Sequence, residues 1–299
     1  MTPSTQPGAN HAGSGARTVW FNLMGPFEII TDSGETLAPK APKVSQMLAV
    51  LALQPRETVP MSTLIRELWG ENPPSGAMRT LQTHVYHARR MLADARVTRT
   101  DRRLLTTMAP GYRLDVADDE VDVRVFERLV RQAQGELERG TPESAADLLE
   151  RALTLWRGPV LSNVPIADVL AGRMAYLEEL RLHALELRVE TEMRLGRHRE
   201  FLPELRVLVH EHPLHEWFHG QLISALHQSG RRGEALQAYQ NLYCILKREL
   251  GLEPSPELRR LQSQILNSTT GKHPRRLRRR DAVQPDHAFT PFWFAADVG

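Results

Sequence analysis

The chain has 299 residues, 41% of them hydrophobic and 25% charged, which suits two globular domains and excludes a disordered protein. A single cysteine, Cys244, excludes an intramolecular disulfide, and no apolar run approaches the roughly 20 residues of a membrane helix, so a cytoplasmic, nucleoid-associated protein without membrane contact is expected. The net charge of +2 hides a division: residues 17–116 carry 13 basic and 9 acidic side chains, 117–268 carry 19 and 24, and 269–299 carry 6 and 3.

A basic segment beside an acidic one is a footprint of nucleic-acid binding, and Arg79 to Arg103 concentrates seven arginines against two aspartates. The first 17 residues have no basic start followed by an apolar stretch and read as a disordered leader. Residues 19–38 then read as short strands, VWFNLMG and PFEIITD, with a hairpin turn at Asp32-Ser33-Gly34. From Pro42 the period becomes helical, with Val44, Met47, Leu48, Leu51 and Ala52 on one pattern until Gln54-Pro55. A short second helix runs from Met61 to Trp69, ended by Gly70. After the turn Asn72-Pro73-Pro74-Ser75 a third helix covers about 76–93. Leu104–Thr107 and Tyr112–Val116 read as two strands around Ala109-Pro110-Gly111. Strands, three helices and a hairpin, in that order, predict a winged helix over 18–117.

Beyond Val121 nearly everything is helical in pattern. Leu195-Gly196-Arg197 and Ser229-Gly230-Arg231 lie 34 residues apart, and Leu202 corresponds to Leu236 and Leu205 to Tyr239 at the same offset. That period is the one of tetratricopeptide helix hairpins. A third start, Gly140-Thr141-Pro142, is out of phase, which places an insertion around 157–165. The predicted fold is therefore mainly α: an α+β winged helix followed by an all-α, tetratricopeptide-like domain over 118–268. Residues 269–299, with HPRRLRRR and four aromatics in the last dozen residues, read as a disordered tail with a docking role in view.

The third helix divides cleanly at 100° per residue. Leu81, Val85, Ala88 and Leu92 form an inward stripe; Arg79, Thr83, Tyr86 and Arg90 face the other way, flanked by Gln82, His87 and Arg89. No acidic residue interrupts this outer face before Asp94, and its residue types are those that donate to base edges and phosphates.

These segments resemble a known family. Asn22 to Glu28, PKVSQMLAVLAL, LIRELWG, MRTLQTHVYHARRML and APGYRLDV are similar to the winged helix of response regulators. More closely they resemble the version in the Streptomyces antibiotic regulatory protein (SARP) family of activators. VDVRVFERLV, LLERALTLWRGPVL, YLEELRLHALELRVE and GRRGEALQAYQNLYCILKRELGLEPSPELRRLQSQIL resemble that family's bacterial transcriptional activation domain, so the likeness covers about Phe21 to Asn267. It implies a non-enzymatic activator of an antibiotic gene cluster, without a cofactor. Such a protein binds direct repeats of promoter double-stranded DNA one helical turn apart, self-associates head-to-tail there and recruits RNA polymerase holoenzyme through its sigma factor. Neither a receiver domain nor a Walker-type loop is seen, so the chain reads as a short member. The residues assigned to DNA contact are Lys43, Arg79, Thr80, Gln82, Thr83, Tyr86, His87, Arg89, Arg90 and Tyr112. Two positions depart from the family pattern. Tyr86-His87 stands where Ser-Arg is common, and Met108 replaces the usual wing arginine, so the preferred DNA sequence is not inherited.

Other readings compete. A ligand- or peptide-responsive DNA-binding repressor or sensor is the alternative, and a peptide-binding scaffold is a third. His215-Glu216-Trp217-Phe218-His219 is a literal HExxH, the pattern of a zinc site with a glutamate base. It follows Pro213 at the start of a repeat helix, and five residues without further context are a weak pattern, so no metal is assigned. Trp69, Trp156 and Cys244 read as packed side chains.

Overall fold

The structure, a computed structural model, describes residues 19–94 and 104–267. The leader, the tail from 268 and Arg96, Arg99, Arg102 and Arg103 of the basic cluster lie outside the described residues.

Strands β1 (Val19–Asn22), β2 (Glu28–Thr31) and β3 (Thr36–Leu37) form an antiparallel sheet in that order, with Val19 opposite Thr31 and Phe21 opposite Ile29. The strand period of two sends Val19, Phe21 and Ile29 into the core and leaves Trp20, Asn22 and Glu28 half-buried. Helix α1 (Pro42–Leu53) starts on its proline and is buried at every position from Val44 to Leu53, because it is packed by elements on all sides. Helices α2 (Met61–Trp69) and α3 (Ala77–Asp94) complete a helix-turn-helix.

The wing is a three-stranded sheet rather than the expected hairpin. β5 (Leu105–Met108) and β6 (Gly111–Leu114) are joined by β4 (Thr58–Pro60), in the order β4-β6-β5. Three residues are too few to show a period, so β4 was not legible in sequence. Gly111 is the hinge of this pairing. A Cβ there would stand 1.8 Å from the Val59 carbonyl oxygen, so only glycine lets the strands meet.

The remainder is helical: α4 (Asp122–Arg139), α5 (Pro142–Leu153), α6 (Asp168–Arg194), α7 (His198–Glu211), α8 (Glu216–Gln228), α9 (Arg232–Glu249) and α10 (Pro256–Asn267). Helices α4–α5, α6–α7 and α8–α9 are hairpins, each turned by a left-handed glycine, Gly140, Gly196 or Gly230 (φ 78°, 74° and 79°). Leu205 and Tyr239, paired by the 34-residue offset, are both buried in equivalent places, and Leu202 is buried where Leu236 is partly so.

One buried cluster runs without a break from Val19 to Leu187, and a second from Val189 to Ile265. The first hairpin therefore shares its core with the winged helix across the 117/118 boundary. The out-of-phase segment is what joins them. The Arg157 N–H donates to the Met24 carbonyl (2.8 Å) and the Leu161 N–H to that of Leu23 (3.0 Å). Among the described residues no helix is long and apolar enough to cross a membrane.

Candidate nucleic-acid interface

Helix α3 exists because its two stripes are chemically distinct. Ala77, Leu81, Val85, Ala88 and Leu92 are buried, and their burial sets which way the helix faces. Arg79, Thr80, Gln82, Thr83, Tyr86, His87 and Arg90 are consequently exposed together, and Tyr86 presents 60% of its surface. Arg79 and Gln82 make no side-chain hydrogen bond to any described residue. Arg90 meets Asp94 at 3.7 Å in an open pair of two well-exposed side chains, a contact worth little in water. The Thr83 hydroxyl donates to the Arg79 carbonyl (3.1 Å) and that of Thr80 to Gly76 (3.2 Å).

Three of the expected contact residues have other positions. Tyr112 is a correction: it is 4% exposed, because β6 is the central strand of the wing sheet and Tyr112 belongs to the core. Arg89 is half-buried. Its Nε donates to the Leu105 carbonyl and its Nη2 to the Thr107 hydroxyl, both at 2.9 Å, so it braces the wing against α3. Lys43 donates through Nζ to the Leu68 carbonyl at the end of α2 and lies 5.3 Å from the Trp69 ring centre. There its charge meets the negative end of the helix. Trp69 stacks on His84 of α3 (6.1 Å, 20°). Burial, then the Lys43 charge, then His87 hold His84 below the ordinary imidazole pKa. At the wing tip Met108 is exposed.

The sequence reading missed a set of polar groups that fix this unit to the helices behind it. Glu67 on α2 is 2% exposed and accepts the backbone N–H groups of Ala167 (3.0 Å) and Val169 (2.8 Å) at the start of α6. A buried carboxylate thus satisfies orphan donors at the positive end of a 27-residue helix. Gln46 of α1 donates to the Glu67 carbonyl (2.8 Å). Asp122, at the start of α4, accepts the N–H groups of Leu23 and Met24 (both 2.8 Å) and of Val123 (2.7 Å). Burial pushes Asp122 up to about 6, against the pull of those three bonds and of the Arg157 charge. Asn163 accepts from the Phe27 N–H (2.6 Å) and donates to its carbonyl (3.2 Å), and Arg157 reaches Glu28 (2.6 Å). One signal was present: Glu67 falls on the apolar stripe of α2 with Leu64 and Leu68, where an unpaired carboxylate would be costly.

The HExxH residues are each engaged within the protein. His215 stands at the N-cap of α8, outside the helix, with Nε2 3.3 Å from Glu186 of α6. His219 is buried, its Nε2 3.1 Å from the Pro213 carbonyl, and Glu216 accepts the Ser255 N–H (2.7 Å). Among the described residues no three His, Cys, Asp or Glu side chains come together as a metal site. Burial raises Glu186, but hydrogen bonds from His183 and His215 outweigh it and hold the carboxyl down at about 2. Cys244 is exposed on α9, not packed as expected. Trp156 is half-buried, edge-on to Phe126 at 5.6 Å and under Arg181 at 4.8 Å.

Comparison with known proteins accords with this geometry. Residues 35–114 match the family described as "Transcriptional regulatory protein, C terminal", and residues 121–266 match "Bacterial transcriptional activator domain". The chain is 41% identical over 254 residues to the regulatory protein DnrI of Streptomyces peucetius, covering 84% of this chain and 93% of that one. The chain belongs to the SARP family of transcriptional activators. Another SARP relative, the transcriptional regulator RedD of Streptomyces coelicolor, is 35% identical over 249 residues, covering 83% of this chain and 70% of its own. The solved structure of Mycobacterium tuberculosis EmbR in complex with a low-affinity phosphopeptide superposes with a TM-score of 0.78 at 32% identity, over 85% of this chain and 66% of that one. This SARP chain is mainly helical, with a small N-terminal winged-helix part ahead of the helices that match the activator domain.

Proposed function

We propose that this SARP activator binds direct repeats in the promoter DNA of an antibiotic biosynthetic gene cluster through α3 and its wing, and recruits RNA polymerase holoenzyme through contacts that include sigma factor. The observation that carries the reading is the outer face of α3, where Arg79, Gln82, Thr83, Tyr86, His87 and Arg90 stand exposed with no acidic side chain among them. Such a face suits a major groove, which offers donors and acceptors to side chains and phosphates to cations. Direct repeats demand head-to-tail neighbours, each protomer using two different surfaces. The winged helix of 18–117 and the activator domain of 118–268 act as one body here, since Asp122 ties them through buried hydrogen bonds and Glu67 and Asn163 through partly buried ones. Polymerase is then met at a fixed angle to the operator. An open groove between α7, α8 and α9, lined by Val209, Leu222, Ala238 and Ile245 with Arg206 and Asn241, offers the acidic domain a surface for protein contact.

Run-off transcription with purified holoenzyme, on a template from the protein's own gene neighbourhood, tests this reading. Added protein raises the transcript, and Arg79→Ala with Arg90→Ala abolishes the rise. A fall in transcript on a template that the protein occupies would instead select the repressor reading.

A further inference from the structure

Tyr86 is the largest exposed side chain on the outer face of α3, and nothing in the fold explains it. It is 60% exposed, and among the described residues its only ring neighbour is His87, edge-on at 5.6 Å. One turn before it, Thr83 has committed its hydroxyl hydrogen to the Arg79 carbonyl, so to a partner it offers its methyl and an oxygen that can only accept. Tyr86 and Thr83 are three residues apart and share a face, with cationic Arg79 and Arg90 on either side of them along the helix. The result is a small apolar patch between two phosphate-seeking groups. In a major groove the one apolar group that distinguishes a base pair is the C5-methyl of thymine.

We propose that Tyr86, with the Thr83 methyl, reads the C5-methyl of a thymine in the operator. The proposal rests on the DNA-binding reading above and adds a specificity to it. It gives a base contact to a helix that carries Tyr86-His87 where Ser-Arg is common: with histidine in place of the arginine, the step facing Tyr86 is selected for thymine.

Deoxyuridine differs from thymidine only by that methyl, so it removes the proposed contact and no hydrogen bond. The test measures binding of the full chain to a footprinted promoter fragment in which each thymine is replaced singly by deoxyuridine. Wild type is expected to bind the fragments replaced at the one such thymine of each repeat, about one helical turn apart, about fourfold more weakly, the scale of one buried methyl. Tyr86→Ala should bind those fragments and the unmodified one equally, while Tyr86→Phe should keep the wild-type sensitivity because the hydroxyl is not the reader. Thermal unfolding of all three proteins should coincide, since Tyr86 packs against no core residue. Indifference of the wild type to every replacement overturns the proposal, as does sensitivity that survives in Tyr86→Ala. A folded protein that binds no promoter fragment at low salt overturns the DNA-binding reading itself, and this inference with it.

Discussion

The outer face of α3 and the seam between winged helix and activator domain follow opposite rules. On α3, Arg79 and Gln82 hold no described hydrogen-bond partner and Arg90 has only an open contact with Asp94. In the seam, Glu67 and Asp122 are almost without exposure, and between them accept five backbone N–H bonds of 2.7–3.0 Å. Polar groups left open in water cost the fold nothing and remain available to a ligand. Polar groups buried with full partners hold two pieces of chain in one orientation and are available to nothing else. Residue type alone does not separate the two, since both sets are charged and polar. Partner and burial do.

This contrast is broken most severely by substitutions in the seam. Asp122→Ala leaves three buried N–H groups without an acceptor and is expected to lose about 3 kcal/mol or more in urea unfolding. Glu67→Ala is expected to cost about 2 kcal/mol, since the two N–H groups it serves lie at a helix end that water can partly reach. Either loss being under about 0.5 kcal/mol would mean that the seam does not hold the two parts together. The contrast is sharpened on the other side by Arg79→Ala and Arg90→Ala. Each should leave unfolding within about 0.5 kcal/mol of wild type and weaken promoter binding roughly tenfold. Arg89→Ala should fall between the two classes, because its guanidinium spans α3 and the wing: a loss of about 1 kcal/mol in stability together with weaker binding.

The remaining effects concern pH, and their signs differ. Asp122 is raised from 3.8 to about 6, so the folded chain takes up a proton between pH 6 and 4 that the unfolded chain does not. Its contribution to stability therefore grows as pH falls from 6 to 4 and is constant above 6. Glu186 is lowered from 4.5 to about 2, so its contribution is complete above pH 4.5 and is lost as pH falls toward 2. Unfolding free energies measured between pH 7 and 4 should show the first slope in wild type, and Asp122→Asn should remove it.

Much of the fold was legible because long amphipathic elements announce themselves. The stripe of α3, the 34-residue offset that pairs Leu205 with Tyr239 and the glycines at 196 and 230 were all readable as patterns. Strand β4 was not, being three residues long. The core across the 117/118 boundary was not either, because Val121 to Phe126 looks the same whether it packs on its own hairpin or on β1. Of the expected contact residues, the exposed set on α3 followed from periodicity. Tyr112 did not: in a strand of four residues the alternation is too short to say which side is core. Lys43 and Arg89 were basic residues near the helix-turn-helix, and only the fold shows that each is already bound to a main-chain carbonyl. Asp122 gave no periodic sign because a single buried carboxylate is recognised by its partners, two of which, Leu23 and Met24, lie 99 and 98 residues away.

The most direct test of the account is a nuclease footprint on promoter DNA from the protein's own gene neighbourhood, with wild type beside the Arg79→Ala, Arg90→Ala double variant at several salt concentrations. Wild type should protect tandem sites one helical turn apart, fading steeply as salt rises, with little or no protection by an equally stable double variant. Equal protection by the two proteins would contradict the assignment of α3 as the DNA reader, and no protection by folded wild type at low salt would contradict DNA binding altogether.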